Sequence, residues 1–280
     1  MKEIIKKLIE RIVKIDFFWK ILRPISELGL FIFLMRKYHT NQMMAPNIPI
    51  SFNSLVVQNG PFKGMKYPGF DSVWGSPYPK ILGSYEKELW NIVEAFKKNN
   101  YSEIINIGCA EGYYAIGLGL SFPNTNIYAY DINEKARTEC RKIAKLNNIS
   151  ENVIIRNKCT SENLKEFQFD SKGLIICDCE GFEKELFDNT NISNLTNCDL
   201  IIETHDFIDP EISKYIRELF QNTHTIESVI SIDDMEKALT YNFDSISSLT
   251  LADRFNVVAE YRPSSMEWLI CKSKINTQNT

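Results

Sequence analysis

The sequence predicts an α/β fold: a doubly wound, mostly parallel seven-stranded sheet, preceded by an N-terminal helical arm and a small hairpin-and-loop extension. Three observations predict it. From residue 103 onward, short apolar runs alternate with stretches of helical periodicity, the pattern of βα units. The run EIINI (103–107) ends in the loop Gly108-Cys109-Ala110-Glu111-Gly112, and the next run, NIYAYD (126–131), ends in Asp131. The composition, 44% hydrophobic and 24% charged over 280 residues, supplies a real core for one such domain with an appendage.

In chain order, residues 1–44 form a basic amphipathic arm. Ile4, Ile5, Leu8, Ile9, Ile12 and Val13 recur at helical spacing, with Lys6, Lys7, Glu10, Arg11 and Lys14 opposite, and Pro24 ends or kinks the helix. Residues 45–83 are rich in Pro, Gly and aromatics and predict a hairpin, SLVV then FKGMKY joined at QNGP, followed by an ordered loop. Residues 84–275 form the main domain and 276–280 a polar tail. SYEKELWNIVEAFKK predicts a helix with Ser84 as its N-cap. Strands follow at EIINI, NIYAYD, NVIIRN (152–157), GLIICD (173–178), DLIIE (199–203) and TIESVIS (225–231), with helices between them. The tail FNVVAEYRPSSMEWLICKS predicts two strands around a Pro-Ser-Ser turn, so the sheet should end with an antiparallel member.

The net charge of −4 conceals an asymmetry. Residues 1–40 hold nine Lys/Arg against four Asp/Glu, so the remaining body is acidic, which argues against nucleic acid as the main partner. Seven cysteines without a CxxC pair point to reduced thiols and a cytoplasmic compartment. No stretch of roughly 18 apolar residues is present to span a bilayer. The basic arm, through residues 1–35, fits peripheral contact with the inner face of a membrane as well as packing on the body or on a second subunit of a homo-oligomer.

In a doubly wound sheet, ligands bind beyond the carboxyl ends of the strands, near the point where strand order reverses. Gly108 and Gly112 lie there and admit backbone angles that let a ligand approach the main chain. Asp131, about 20 residues on, is placed to accept hydrogen bonds from both hydroxyls of a ribose, although an Asp here also serves as a helix cap. The pair indicates a nucleoside ligand. A nicotinamide dinucleotide is disfavoured, because the spacing is G-x-x-x-G and not G-x-G-x-x-G.

These residues resemble the first motif of class I S-adenosylmethionine-dependent methyltransferases, with Asn106 where an acidic residue is usual. LIICDCEGFEKELF followed by DLIIETHDF resembles the FkbM-type members. There an Asp-x-Glu-Gly-x-Glu stretch closes the fourth strand and a Glu closes the fifth, and GPFKGMKYPGF…PKILGSYEKEL before the first motif is similar too. Ile176 stands where those members often carry Lys. The resemblance, over residues 55–230, implies a Rossmann-like methyltransferase fold and S-adenosylmethionine as cofactor. It implies cofactor contacts at Tyr85, Asn106, Gly108, Cys109, Gly112, Asp131, Ile132, Cys159, Thr160 and Asp178, with Lys80 and Glu86 beside Tyr85 at a junction that could equally be capping and packing. The implied acceptor is a small molecule or glycan, most simply a sugar hydroxyl of bacterial surface polysaccharide or glycolipid.

A sulfonium methyl is already activated, so the protein must align a nucleophile behind the methyl carbon and remove its proton. His205, Asp178, Glu180 and Glu203 come from strand ends on one rim, with His205 the first choice as base. The same groups offer a second role, since Asp178, Glu180, Glu203 and His205 supply ligands suited to a divalent metal, with Asp178, Glu203 and His205 the set named for it. Asp178 and Glu180 converge only if the strand has ended by Cys179. Singly, Glu180 and Glu183 also read as helix-start carboxylates and His205-Asp206 as a loop cap. Trp74, Tyr78 and Tyr85 could stack on a sugar or ring, while His39 and His224 read as surface or structural. Asp-Cys-Glu-Gly in place of Asn/Asp-Pro-Pro-aromatic argues against nucleobase amines. N-methylation of another small molecule, and a non-catalytic nucleoside-binding scaffold, remain the other functions these residues allow.

Overall fold

The computed structural model describes residues 55–70 and 75–275, with positions 15, 20, 23, 24 and 29 of the arm. The chain divides into two compact units, 1–48 and 49–280. The amphipathic pattern of residues 4–14, His39, Trp74 and the polar tail lie outside the described residues. No helix among the described residues is long and apolar enough to cross a membrane.

The second unit contains one seven-stranded sheet: β1 (Glu103–Ile107), β2 (Asn126–Tyr130), β3 (Val153–Arg156), β4 (Gly173–Cys177), β5 (Cys198–Thr204), β6 (His224–Ile230) and β7 (Glu267–Ser273). Its order is β3-β2-β1-β4-β5-β7-β6, with β7 antiparallel to both neighbours and the other pairings parallel. This is the predicted doubly wound, Rossmann-like sheet. Strand order reverses between β1, which pairs with both β2 and β4, and that places the crevice over their carboxyl ends.

The central strands β1, β4 and β5 are buried along their whole length, which is why they read as unbroken apolar runs. Ile104 faces one core with Ile116, Ile127 and Ile143, whereas Ile105 and Ile107 face the other with Ile175, Leu200 and Phe220. Each such side chain contributes about 1.5–3 kcal/mol when fully buried. The helices that supply these faces include α3 (Tyr113–Ser121), α4 (Glu134–Leu146) and α8 (Ile212–Phe220). Asn133 caps α4 by accepting from the Lys135 and Ala136 amides, and Thr160 caps α5 (Ser161–Glu166) in a reciprocal pair with Asn163.

The hairpin forms around one bridge, Val56 with Lys66, and lays Phe62, Met65 and Tyr67 into the first core. Three local expectations are corrected. Residues taken for loop form a helix, α1 (Pro77–Leu82), with Pro at its start and Gly83 left-handed at its end. Ser84 makes no capping bond, and the helix expected from it begins only at α2 (Trp90–Phe96), after a short 3-10 turn. The interruption is Glu86, whose φ of +47° departs from the helical path. The tail segment FNVV belongs to a helix, α10 (Leu251–Val258), so β7 alone comes from the expected strand pair. Thr250 caps α10 through the Asp253 amide, and its apolar residues bury Val257 and Val258. A further helix, α9 (Asp234–Thr240), packs against it. Shorter turns, α6 (Glu183–Leu186) and α7 (Ile192–Leu195), follow β4.

Candidate active site

The ends of β1 and β4 meet at close quarters. The Asp178 amide donates to the Ile107 carbonyl (3.0 Å), and Gly108, at φ +72°, passes so near that a Cβ there would lie 1.6 Å from the Asp178 carbonyl oxygen. At Gly112, φ +100°, a Cβ would lie 2.7 Å from Cys140 Sγ. Both glycines are therefore demanded by the protein's own packing, and Gly108 also lines the pocket at the ends of these strands.

The loop amides point the same way. Gly108 and Cys109 both donate to the Tyr130 carbonyl (2.9 Å each), and Ala110 donates to Asp131 Oδ2 (2.8 Å). Asp131 Oδ1 accepts from Asn133 (2.7 Å), so this carboxylate ties the end of β2 to the loop after β1. A carboxylate has about four lone-pair positions, so two bonds leave acceptor capacity. Beside it Ile132 is 72% exposed, an apolar surface at the crevice. Cys159 is buried and the Thr160 hydroxyl is engaged in capping α5; neither lines the pocket that reaches Asn106.

That pocket lies over β1, β4 and β5 and is lined by Lys80, Tyr85, Asn106, Glu111, Asp178 and Glu203, and by Gly108 and Cys109 of the loop. Glu111 is fully buried and takes Lys80 Nζ on Oε1 at 2.6 Å. Three acceptors in the pocket have no hydrogen-bond partner in the protein, Asn106 Oδ1, Glu111 Oε2 and Asp178 Oδ1, although Asp178 Oδ1 lies 3.4 Å from His205 Nε2. Buried acceptors are normally satisfied, so this pocket is built for a donor or a cation.

Electrostatics agree. Arg262, from the segment before β7, is gripped by three carboxylates: Nη2 on Glu86 (2.8 Å), Nε on Glu260 (2.9 Å) and Nη1 on Glu203. Its guanidinium also lies over the Trp268 ring, 4.7 Å from the centroid. Lys237, fully buried, joins Glu260 (2.5 Å) and Glu88 (3.4 Å). Carboxylates outnumber cations here, and the excess registers in their acidities. Burial, reinforced by Asp178, pushes the Glu203 carboxyl well up against the pull of Arg262. Burial also raises Asp178 to about 7, although His205 works the other way.

A second, outer space adjoins the first and is lined by Asp178, Glu180, His205, Phe207, Tyr261 and Arg262. Here β4 has ended at Cys177, and Glu180 takes φ +55°, so Asp178 and Glu180 converge as the sequence-based condition required. His205 is buried; its Nδ1 lies 2.7 Å from Glu183 Oε1, and its Nε2 lies 3.4 Å from Asp178 and 3.5 Å from Glu180. Burial lowers the His205 pKa, but the Glu183 hydrogen bond and the surrounding carboxylates outweigh it and leave the pKa raised. Glu183, which singly reads as a helix-start carboxylate, is instead fully buried and orients the histidine. Glu203 lies apart: Arg262 holds it, and the grouping with metal-ligand spacing is Asp178, Glu180 and His205, which corrects the set containing Glu203.

Of the aromatics, Tyr85 lines both spaces, whereas Tyr78 is buried beside Phe70. His224 is structural: Nε2 bonds the Cys198 carbonyl (2.9 Å) and Nδ1 the Thr223 hydroxyl (2.8 Å). The sequence did not single out Arg262, Glu260, Lys237 or Glu111 as site residues. Arg-Pro before the last strand was the available signal for Arg262, and the place of Glu111 within the glycine loop was the signal for Glu111.

No protein-family model matches the chain. Over 83 residues the chain is 32% identical to the release factor glutamine methyltransferase of Flavobacterium psychrophilum, a match spanning 29% of each protein. Among solved structures it is similar to a putative O-methyltransferase from Klebsiella pneumoniae (TM-score 0.44, 10% identity, 68% of this chain and 81% of that one). It is also similar to the O-methyltransferase TomG from Streptomyces achromogenes, solved in complex with SAM (TM-score 0.46, 9% identity, 68% and 80%). A third is the precorrin-6y C5,15-methyltransferase from Geobacter metallireducens (TM-score 0.41, 16% identity, 65% and 87%).

Proposed function

We propose that the chain is a class I S-adenosylmethionine-dependent methyltransferase that methylates oxygen. The carrying observation is the inner pocket: three buried acceptor atoms without hydrogen-bond partners in the protein, in a ring of surplus carboxylate, at the point where strand order reverses. A sulfonium with an α-ammonium group supplies the positive charge and the donors that such a pocket calls for. A pyrophosphate cofactor suits it poorly, because the Gly108, Cys109 and Ala110 amides are already bonded and the lining is acidic.

In this reading the adenosine lies along the crevice by Asp131 and Ile132, with the ribose on the free lone pairs of Asp131. The methionine end enters between Asn106, Glu111 and Tyr85. The acceptor occupies the outer space, where half-exposed Phe207 and Tyr261 offer ring faces for a sugar, in keeping with the FkbM-type resemblance and its glycan acceptors. The acceptor oxygen forms a bond to the methyl carbon as the carbon–sulfur bond breaks, and sulfur keeps the electron pair as a neutral thioether. The hydroxyl proton is lost at the Asp178–Glu180–His205 cluster. Glu183 fixes the proton on Nδ1, which leaves Nε2 as acceptor.

The test is methyl transfer from radiolabelled S-adenosylmethionine to paired hydroxyl and amine forms of simple sugars. Label in the hydroxyl sugars supports the reading. Label confined to amino sugars overturns O-methylation, and cofactor binding without turnover on any acceptor favours a scaffold.

A further inference from the structure

We infer that Tyr261 is the acceptor-recognising residue of the outer space, and that Asp234, at the start of α9, is the positioning residue that holds it there. Backbone geometry points to it first. Five non-glycine residues among those described have positive φ. Asn148 follows the end of α4, where asparagine is an ordinary helix stop. The other four, Glu86, Ala110, Glu180 and Tyr261, all line the inner pocket or the outer space. Tyr261, at φ +56°, is the bulkiest of them. A large side chain stays in the left-handed region only where its surroundings leave no alternative.

Those surroundings are fixed on both sides. Asp234 accepts from the Glu260 amide on Oδ1 (3.0 Å) and from the Tyr261 amide on Oδ2 (2.9 Å). The Glu260 carboxylate is itself held by Lys237 and Arg262, and Pro263 restricts Arg262 to extended backbone. A chain that needed only the turn would place Gly or Asn at 261, as it places Gly at Gly83 and Gly181. The tyrosine ring is 45% exposed and meets Phe255 of α10 edge-on, with 6.1 Å between centroids, so burial accounts for little of its retention. What the strained conformation delivers is an aromatic ring at the outer space, which half-exposed Phe207 also lines.

The outer space, about 180 Å³, has room on the order of a dozen waters, enough for one ring with its substituents. An aromatic face is electron-rich and attracts polarised C–H groups. It therefore reads the flat C–H face of a saturated ring in preference to an open chain, which loses more freedom in lying flat. The chemistry that follows binding rests on the methyltransferase reading, whereas the ring contact stands on this geometry.

The experiment is saturation-transfer difference NMR on the full chain, with S-adenosylhomocysteine absent and present. The probes are the methyl pyranosides of glucose, galactose, mannose and rhamnose, with open-chain sorbitol as control. A pyranoside is expected to take saturation on its ring C–H protons, and sorbitol none. Its affinity should weaken at least about threefold in Tyr261→Asn and in Asp234→Ala, and stay within about twofold in Tyr261→Phe, which keeps the ring. Asp234→Ala should add nothing further to Tyr261→Asn, as befits a residue that acts through another. Asparagine tolerates the left-handed region, so the thermal midpoint of Tyr261→Asn should equal or exceed that of the parent. Recognition by Tyr261 is overturned by a lack of saturation in every pyranoside, by equal saturation of sorbitol, by equal affinity in Tyr261→Asn, or by a lowered midpoint in that variant. An additive loss overturns the role of Asp234. Calorimetry with S-adenosylmethionine reports separately: cofactor binding with no pyranoside contact sinks this inference alone, and pyranoside contact at Tyr261 with no cofactor binding sinks the methyltransferase reading alone.

Discussion

Gly108 passes so close to Asp178 that a side chain at position 108 would collide with the Asp178 carbonyl oxygen at 1.6 Å. The contact fixes the carboxyl ends of β1 and β4 against each other, and both the inner pocket and the carboxylate of Asp178 depend on it. Gly108→Ala adds a left-handed backbone penalty to a clash with rigid main chain. We expect a loss of about 3 kcal/mol or more, read by urea denaturation, or failure to fold. A loss below about 1 kcal/mol would mean that the two strand ends can separate.

Arg262 neutralises Glu86, Glu203 and Glu260 in a largely buried setting. Arg262→Ala strands those carboxylates and is expected to cost about 3–5 kcal/mol at neutral pH. Stability of the variant should recover in part as the solution is acidified and the stranded carboxyls take up protons. A variant as stable as the parent contradicts this.

His224 supplies a pH dependence remote from the site. Burial lowers its folded-state pKa below the ordinary 6.5, against the pull of the Cys198 carbonyl and Asp199. A histidine with a lowered folded pKa contributes stability that is full above its unfolded pKa. That contribution is lost as pH falls from about 6.5 toward the folded value, because the unfolded chain gains the proton first. The midpoint of thermal unfolding should therefore fall between about pH 7 and 5. His224→Gln should show a shallower fall; identical slopes would remove His224 from the account.

His205 lines the outer space and is absent from the inner one. His205→Ala is expected to lower kcat about 10²-fold or more while leaving S-adenosylmethionine affinity within about twofold, since its contacts lie on the acceptor side. Equal losses in kcat and cofactor affinity would move His205 into the cofactor pocket.

The sheet was legible because the central strands are buried on both faces and write themselves as apolar runs. The cap formed by Thr160 was not legible, since the resemblance places Thr160 among the cofactor contacts. α10 was misread because Phe255, Val257 and Val258 are as apolar as a strand and its polar face is short. Glu86 broke a well-formed helical pattern for a tertiary reason, the Arg262 ion pair, that local periodicity does not carry. Within the site, Asp178, Glu180 and His205 were legible from their positions after strands. Glu183 was not, because a glutamate at a helix start has the same local signature whether it faces solvent or reaches inward to a histidine. The glycine loop carries a second demand that local sequence does not announce: its conformation also serves the contact with β4.

Calorimetric titration of S-adenosylmethionine into the purified, folded chain is the most direct measurement. The expected result is one site of roughly micromolar affinity, weakened at least about tenfold when Asp131→Ala removes the ribose acceptor from a protein that still melts cooperatively. A folded chain that evolves no heat with this compound, or that binds it equally well without Asp131, contradicts the assignment of the crevice.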